Sequence, residues 1–332
     1  MTCRLGPTSA TVTTNHHAVQ KLLREFYTTT DRANGSRPGW TVTALVGDIE
    51  PAMAINRWGV GFTSDLAERR LRLRCPDPEN LAITTRKAVR EVLVDYCEQR
   101  GYVMLHAAAV TDDHRVIIIV GDKGSGKTTL ALKAALRHGM RYLSNDHLII
   151  IPSTDGGSSS LSLTALPTPI PLKIGTFLDL ETALPAPWDT EGLDIDSYRA
   201  MPRPQLYQLD RRVLYTLPQL GHPSPAVTQL GTPDTGPAVL IVLAAYTRGE
   251  IEETEIPSTV DALLEHVRMD WMFDSTLNQR HLPRLERGRS RYQQDARRLV
   301  GALADRATVI GWNHHGDPAP LFDHPGLHMR TS

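Results

Sequence analysis

Near the middle of the chain an apolar run, Val116-Ile117-Ile118-Ile119-Val120, passes directly into Gly121-Asp122-Lys123-Gly124-Ser125-Gly126-Lys127-Thr128. The spacing G-x-x-x-x-G-K-[ST] is that of a phosphate-binding loop. Gly121, Gly124 and Gly126 let the backbone turn its N–H groups inward. Lys127 brings a point charge for the β and γ phosphates, and the Thr128 hydroxyl is a ligand for Mg²⁺. The following TTLALKAALRHG reads as a helix stopped by Gly139. Strand, glycine-rich turn and helix in this order demand an α/β arrangement. Gly121, Asp122, Lys123, Gly124, Ser125, Gly126, Lys127, Thr128 and Thr129 are the expected nucleotide-contacting set. Lysine is scarce, with six among 36 basic residues, so its presence at 127 carries weight.

With 332 residues the chain is long enough for one large domain or two modest ones. Hydrophobic residues at 41% and charged ones at 22% are globular values. A net charge of -1 gives no overall attraction for nucleic acid or an anionic membrane, so neither is an expected partner. Cys3, Cys75 and Cys97 are too few and too widely spaced for a disulfide framework or a metal pair, which suits a reducing compartment. The apolar run at 116–120 is far short of the ~20 residues that span a bilayer. The N-terminal stretch has no apolar leader core, and a cytoplasmic location is expected.

Three regions are expected. Residues 1–100 read as a small α+β domain: a polar, frayed start to about residue 12, then a helix capped by Asn15, strands in TVTALVGDI and INRWGVGFTSD, and a long helix from Asp77-Pro78 to about Arg100, stopped by Gly101. Residues 101–312 hold the phosphate loop, with YVMLHAAAV and RVIIIV as a hairpin joined at 111–114. Residues 152–190 are rich in turn formers, and strands at VLYTLP, AVLIVLAAY and ATVIGW follow. Residues 313–332 read as a loose, His- and Pro-rich tail.

Leu105-His106-Ala107-Ala108-Ala109-Val110, then VGDKGSGKTTLAL, then Leu143-Ser144-Asn145-Asp146 resemble the HPr kinase/phosphorylase family and its stand-alone relatives. The likeness covers about residues 80–151, with a weaker echo in AVLIVLAAYTRGE. It implies a P-loop kinase core of the HPr kinase and phosphoenolpyruvate carboxykinase type, using ATP and Mg²⁺ to phosphorylate a hydroxyl. The implied acceptor is a Ser or Thr of a peptide or protein, natural-product peptides included, or a small-molecule alcohol; a homo-oligomer is also implied. By the family pattern Lys127 acts on phosphate. Thr128 and Asn145 or Asp146 hold Mg²⁺, and Asp146 is either the base or a metal-proximal carboxylate beside His106. The family often has Asp-Asp where this chain has Asn145-Asp146. Asn can ligate Mg²⁺ but cannot take a proton at neutral pH. The alternative reading is therefore a nucleotide-sensing or scaffold module with little turnover.

Other residues carry two readings each. Arg248 in YTRGE either neutralises charge on the nucleotide phosphates or is a solvated turn residue. Lys173 either reaches substrate or lies on the surface. The basic stretch RLERGRSRYQQDARR reads as a solvated helix face, and His314-His315, His324 and His328 lack the spacing of a zinc site.

Overall fold

The computed structural model describes residues 1–30, 39–112, 114–152, 160–220, 227–231, 236–247, 249–254, 256, 258–273, 280–282 and 288–327. Two compact units emerge. The first comprises Met1–Val103 with Arg268–Asp295, and the second Met104–Val267 with Ala296–Ser332. Both mix helix and sheet, so the chain is α/β. Among the described residues no helix is long and apolar enough to cross a membrane.

The first unit runs β1 (Thr2–Leu5), β2 (Thr8–Thr14), α1 (His17–Phe26), β3 (Thr28–Thr30), β4 (Trp40–Val46), β5 (Ala54–Ile55), β6 (Gly61–Asp65), β7 (Arg70–Cys75) and α2 (Pro78–Gln99). Among the described residues its strands form one sheet in the order β3-β1-β2-β4-β7-β6-β5, parallel only at β2–β4 and β4–β7. The start is thus not frayed. β-branched threonines favour the pleated backbone, and Cys3, Leu5, Ala10 and Val12 alternate inward and are buried. Asn15 is not the helix cap either. Its side chain bridges Val46 N–H and C=O, while His16 Nδ1 accepts from Ala18 N–H at 3.2 Å. Helix α2 starts where Asp77 accepts from Glu79 N–H at 2.8 Å ahead of Pro78, and the chain reverses at Gly101 with φ +77°. It packs on α1 and over β2, β4 and β7.

The second unit contains β8 (Val103–Leu105), β9 (Ala107–Thr111), β10 (Arg115–Val120), α3 (Lys127–His138), β11 (Arg141–Ser144), β12 (Leu148–Pro152), β13 (Leu161–Ala165), β14 (Ile170–Lys173) and α4 (Ile174–Leu180). It continues with α5 (Ile195–Arg199), α6 (Arg203–Leu206), β15 (Arg212–Tyr215), β16 (Thr228–Gly231), β17 (Ala238–Tyr246), β18 (Glu252–Thr254), α7 (Thr259–Leu264) and β19 (Ala307–His314). Among the described residues the main sheet has the order β11-β9-β10-β17-β19-β18. Its centre is the parallel run β10-β17-β19, and every residue from Val116 to Val120 is buried, as an apolar strand covered on both faces should be. A second sheet has the order β16-β13-β12-β8. The expected strand YVMLHAAAV is broken: β8 and β9 belong to different sheets, and His106 sits between them. The last strand does not stop at Trp312. It runs to His314, which is fully buried, so the region expected to be a loose tail begins inside the sheet.

Candidate functional site at the end of the parallel strands

Strands β10, β17 and β19 run the same way; β10 ends with Val120 beside Leu243, and β17 and β19 end together three residues further on, with Tyr246 beside His314. In open α/β sheets ligands bind beyond such carboxyl ends. The loop 121–126 leaves β10 there and enters α3. Its three glycines are required for different reasons. A Cβ at Gly121 would lie 2.4 Å from Ala244 O, and one at Gly126 would lie 2.7 Å from His314 Cε1. Gly124 faces open space, and only its φ of +92° calls for glycine. Gly126 gives α3 no side-chain cap, so the first N–H groups of that helix are directed to the loop side.

Lys127 is buried, with Nζ donating to Gly121 O at 2.6 Å and Asp122 O at 3.0 Å. Asp122 and Lys123 are exposed; Ser125 is buried, and its Oγ has no hydrogen-bond partner. Thr128 Oγ1 donates to Asn145 Oδ1 at 2.9 Å, and Tyr142 OH donates to the same oxygen at 2.9 Å. Burial, with Asp146 second, pushes the Tyr142 phenol upward and keeps it a donor. Two hydroxyl donors on one oxygen orient the Asn145 amide toward Thr128. The Thr129 and Thr176 hydroxyls lie 3.2 Å apart, joining α3 to α4.

Antiparallel pairing of β9 with β11 places Ser144 against Ala109, and the Ser144 hydroxyl donates to Ala107 O at 3.2 Å. His106 just before β9 thereby meets Asp146 just after β11. Their Nε2–Oδ1 distance is 2.7 Å, with each side chain about one-third exposed (32% and 34%). His147 Nδ1 lies 3.4 Å from the other carboxylate oxygen. His106 N–H donates to His266 O at 2.7 Å. Burial first, then the nearby charges of Lys127 and His106, hold the His266 imidazole below its ordinary value.

The structure therefore gathers Lys127, Thr128, Asn145, Asp146 and His106. Arg248 lies outside the described residues. Lys173 stands at the end of β14, and both it and Lys123 lie within electrostatic reach of Asp210, whose carboxyl Arg212 chiefly holds low. Sequence reasoning missed Tyr142, His266 and His314. His314 lies under the loop: its Nε2–H donates to Ser125 O at 2.8 Å, and its Nδ1 accepts from Gly316 N–H at 2.8 Å. Lys133 Nζ ties Gly316 O at 2.6 Å. Burial, outweighing the Ser125 hydrogen bond, lowers the His314 pKa and keeps it neutral, as this donor and acceptor pattern requires.

Among the described residues no group of three His, Cys, Asp or Glu side chains is arranged to hold a metal ion. Any cation here would rely on the hydroxyl and amide oxygens of Thr128 and Asn145 beside Asp146, hard donors of the kind Mg²⁺ accepts. Neither the protein-family models nor the curated proteins contain a match for this chain.

Proposed function

We propose that the chain is an ATP- and Mg²⁺-dependent kinase of the HPr kinase and phosphoenolpyruvate carboxykinase type, transferring the γ-phosphoryl group to a hydroxyl. The observation that carries this reading is the hydrogen-bonded His106–Asp146 pair standing beside a glycine loop with Lys127 and the Thr128–Asn145 contact. The loop suits phosphate: left-handed glycines, an uncapped helix start and a buried Ser125 Oγ without a partner all favour an anion with many acceptor oxygens.

In this reading Thr128 and Asn145 would hold Mg²⁺, which would neutralise charge on the phosphates. Lys127 exchanges its bonds to Gly121 and Asp122 for phosphate oxygens. The acceptor hydroxyl hydrogen-bonds to the Asp146 carboxylate, which takes its proton as the oxygen bonds to the γ-phosphorus and the bond from that phosphorus to the β,γ-bridging oxygen breaks, releasing ADP. His106 fixes the orientation of that carboxylate through Oδ1. Catalysis comes from positioning and charge neutralisation more than from covalent chemistry by the protein. The acceptor is a Ser or Thr of a peptide or protein, or a small-molecule alcohol, handled in the cytoplasm.

One observation favours a second reading, a nucleotide-sensing module with little turnover. Asn145, a neutral amide, receives both the Thr128 and the Tyr142 hydroxyls where the resembled family often has a carboxylate. Incubation with γ-labelled ATP, Mg²⁺, native-host extract and a panel of peptides and alcohols separates the two. A labelled product that disappears in both Lys127→Ala and Asp146→Asn, with ATP binding retained by Asp146→Asn, supports the kinase. ATP binding lost only in Lys127→Ala, with no product from any protein, overturns it in favour of sensing.

A further inference from the structure

In the main sheet the strand that feeds the glycine loop, β10, has two flanks. On one side stand β9 and β11, with His106 just before the first and Asp146 just after the second. On the other stand β17 and β19. A nucleotide whose γ-phosphoryl group faces Asp146 runs its α-phosphate and nucleoside the other way along the loop. That direction leads over the carboxyl ends of β17 and β19, where ligands of open α/β sheets are held.

Tyr246 stands there as the last residue of β17, paired in register with His314. It is 56% exposed. Its ring is nearly perpendicular to the His314 imidazole, at 83° and 5.9 Å between centroids, and that imidazole holds Ser125 O of the loop. A chain of direct contacts thus joins the tyrosine to the phosphate loop. The backbone around the ring is fastened from both sides. Thr247 N–H donates to His314 O at 3.0 Å, and His315 Nε2 donates to Gly249 O at 2.6 Å. Gly316 follows with φ of +85°, and a Cβ there would lie 4.0 Å from Tyr246 Cε2 and 3.8 Å from Lys133 Nζ. An aromatic ring on a fastened backbone loses little conformational freedom when a flat ligand settles on it. Tyr207, also largely exposed, is engaged differently: its hydroxyl donates to Asp179 and its ring lies against Gly175.

We propose that Tyr246 is the platform on which the nucleobase stacks, so that a bound nucleoside triphosphate spans the loop from Asp146 to Tyr246. The assignment rests on the reading of 121–128 as a nucleotide site and adds to it where the base lies. Stacking uses the π face that every base offers, whereas inorganic tripolyphosphate has none and gains nothing from the tyrosine.

That difference supplies the test. Titration calorimetry on the full chain in Mg²⁺ gives Kd for ATP and for tripolyphosphate with the wild type, Tyr246→Ala, Tyr246→Phe and Lys127→Ala. Tyr246→Ala is expected to weaken ATP binding about tenfold while tripolyphosphate changes by less than about twofold, and Tyr246→Phe, which keeps the ring, should resemble the wild type. Unchanged ATP binding in Tyr246→Ala, or equal losses for ATP and tripolyphosphate, would overturn the platform. In both of those cases the nucleotide reading stands, provided that Lys127→Ala abolishes binding of both ligands. A wild-type protein that binds neither ligand overturns that reading and the platform together.

Discussion

At Gly126 a methyl group would stand 2.7 Å from His314 Cε1, on a backbone with φ of +87°. Gly126→Ala should therefore cost about 1–3 kcal/mol, measured by urea unfolding, and weaken ATP binding because the loop must shift away from the imidazole. His314 itself gives a pH signature. Its folded-state pKa lies below the ordinary imidazole value of about 6.5, so between those two values the unfolded chain binds more protons than the folded one. Stability is then fully present above about pH 6.5 and falls as pH drops toward the folded value. Urea midpoints compared at neutral and mildly acidic pH should show this loss, and His314→Gln should flatten the profile. Some slope should remain from His266, whose pKa is shifted in the same direction. In the sequence, the spacing of Gly121 to Thr128 made a glycine-rich turn between strand and helix legible, whereas His314 looked like part of a polar tail. Its role depends on β19 lying beside β17, a pairing between distant segments that local pattern does not encode.

Helix α2 illustrates the same limit at the level of an element. Its ends were legible in Asp77-Pro78 and Gly101, because capping is a local matter. Its buried charges were not. Glu91, Asp95 and Glu98 lie on one side of the helix and meet Arg280 and His281, almost two hundred residues further on. Glu91 alone receives three N–H groups, including the backbone N–H groups of His281 and Leu282 at 2.9 and 2.7 Å. Removing it leaves those donors buried and unsatisfied. Glu91→Ala should cost about 3–5 kcal/mol, read as a lower urea midpoint, and Glu91→Gln less, since an amide oxygen still accepts. The strands β1 and β2 escaped the sequence reading for another reason. Threonines at alternate positions look polar in composition, yet their branching suits the pleat while Cys3, Leu5, Ala10 and Val12 enter the core.

For the whole molecule, three regions were expected, with changes near residues 100 and 312. The structure divides close to the first of these points but assigns Arg268–Asp295 to the first unit. A fragment of residues 1–103 thus lacks Arg280 and His281, which meet Glu91, Asp95 and Glu98. It should melt at a lower temperature than the same fragment joined through a short linker to residues 268–295, as followed by circular dichroism. This division could not be read from composition, because nothing in the run from 268 to 295 marks it as the closing segment of a sheet and helix far upstream.

That discontinuity also sets an order of events during synthesis. The carboxylates of α2 emerge from the ribosome long before Arg280 and His281, with residues 104–267 in between. At ~5–20 residues per second, the delay is on the order of ten seconds or more. The second unit waits too, since β19, the third member of its parallel run, is made after residue 306. Neither unit can acquire its full set of contacts until these late segments have been made, so the protein must hold two incomplete cores at once and close both late.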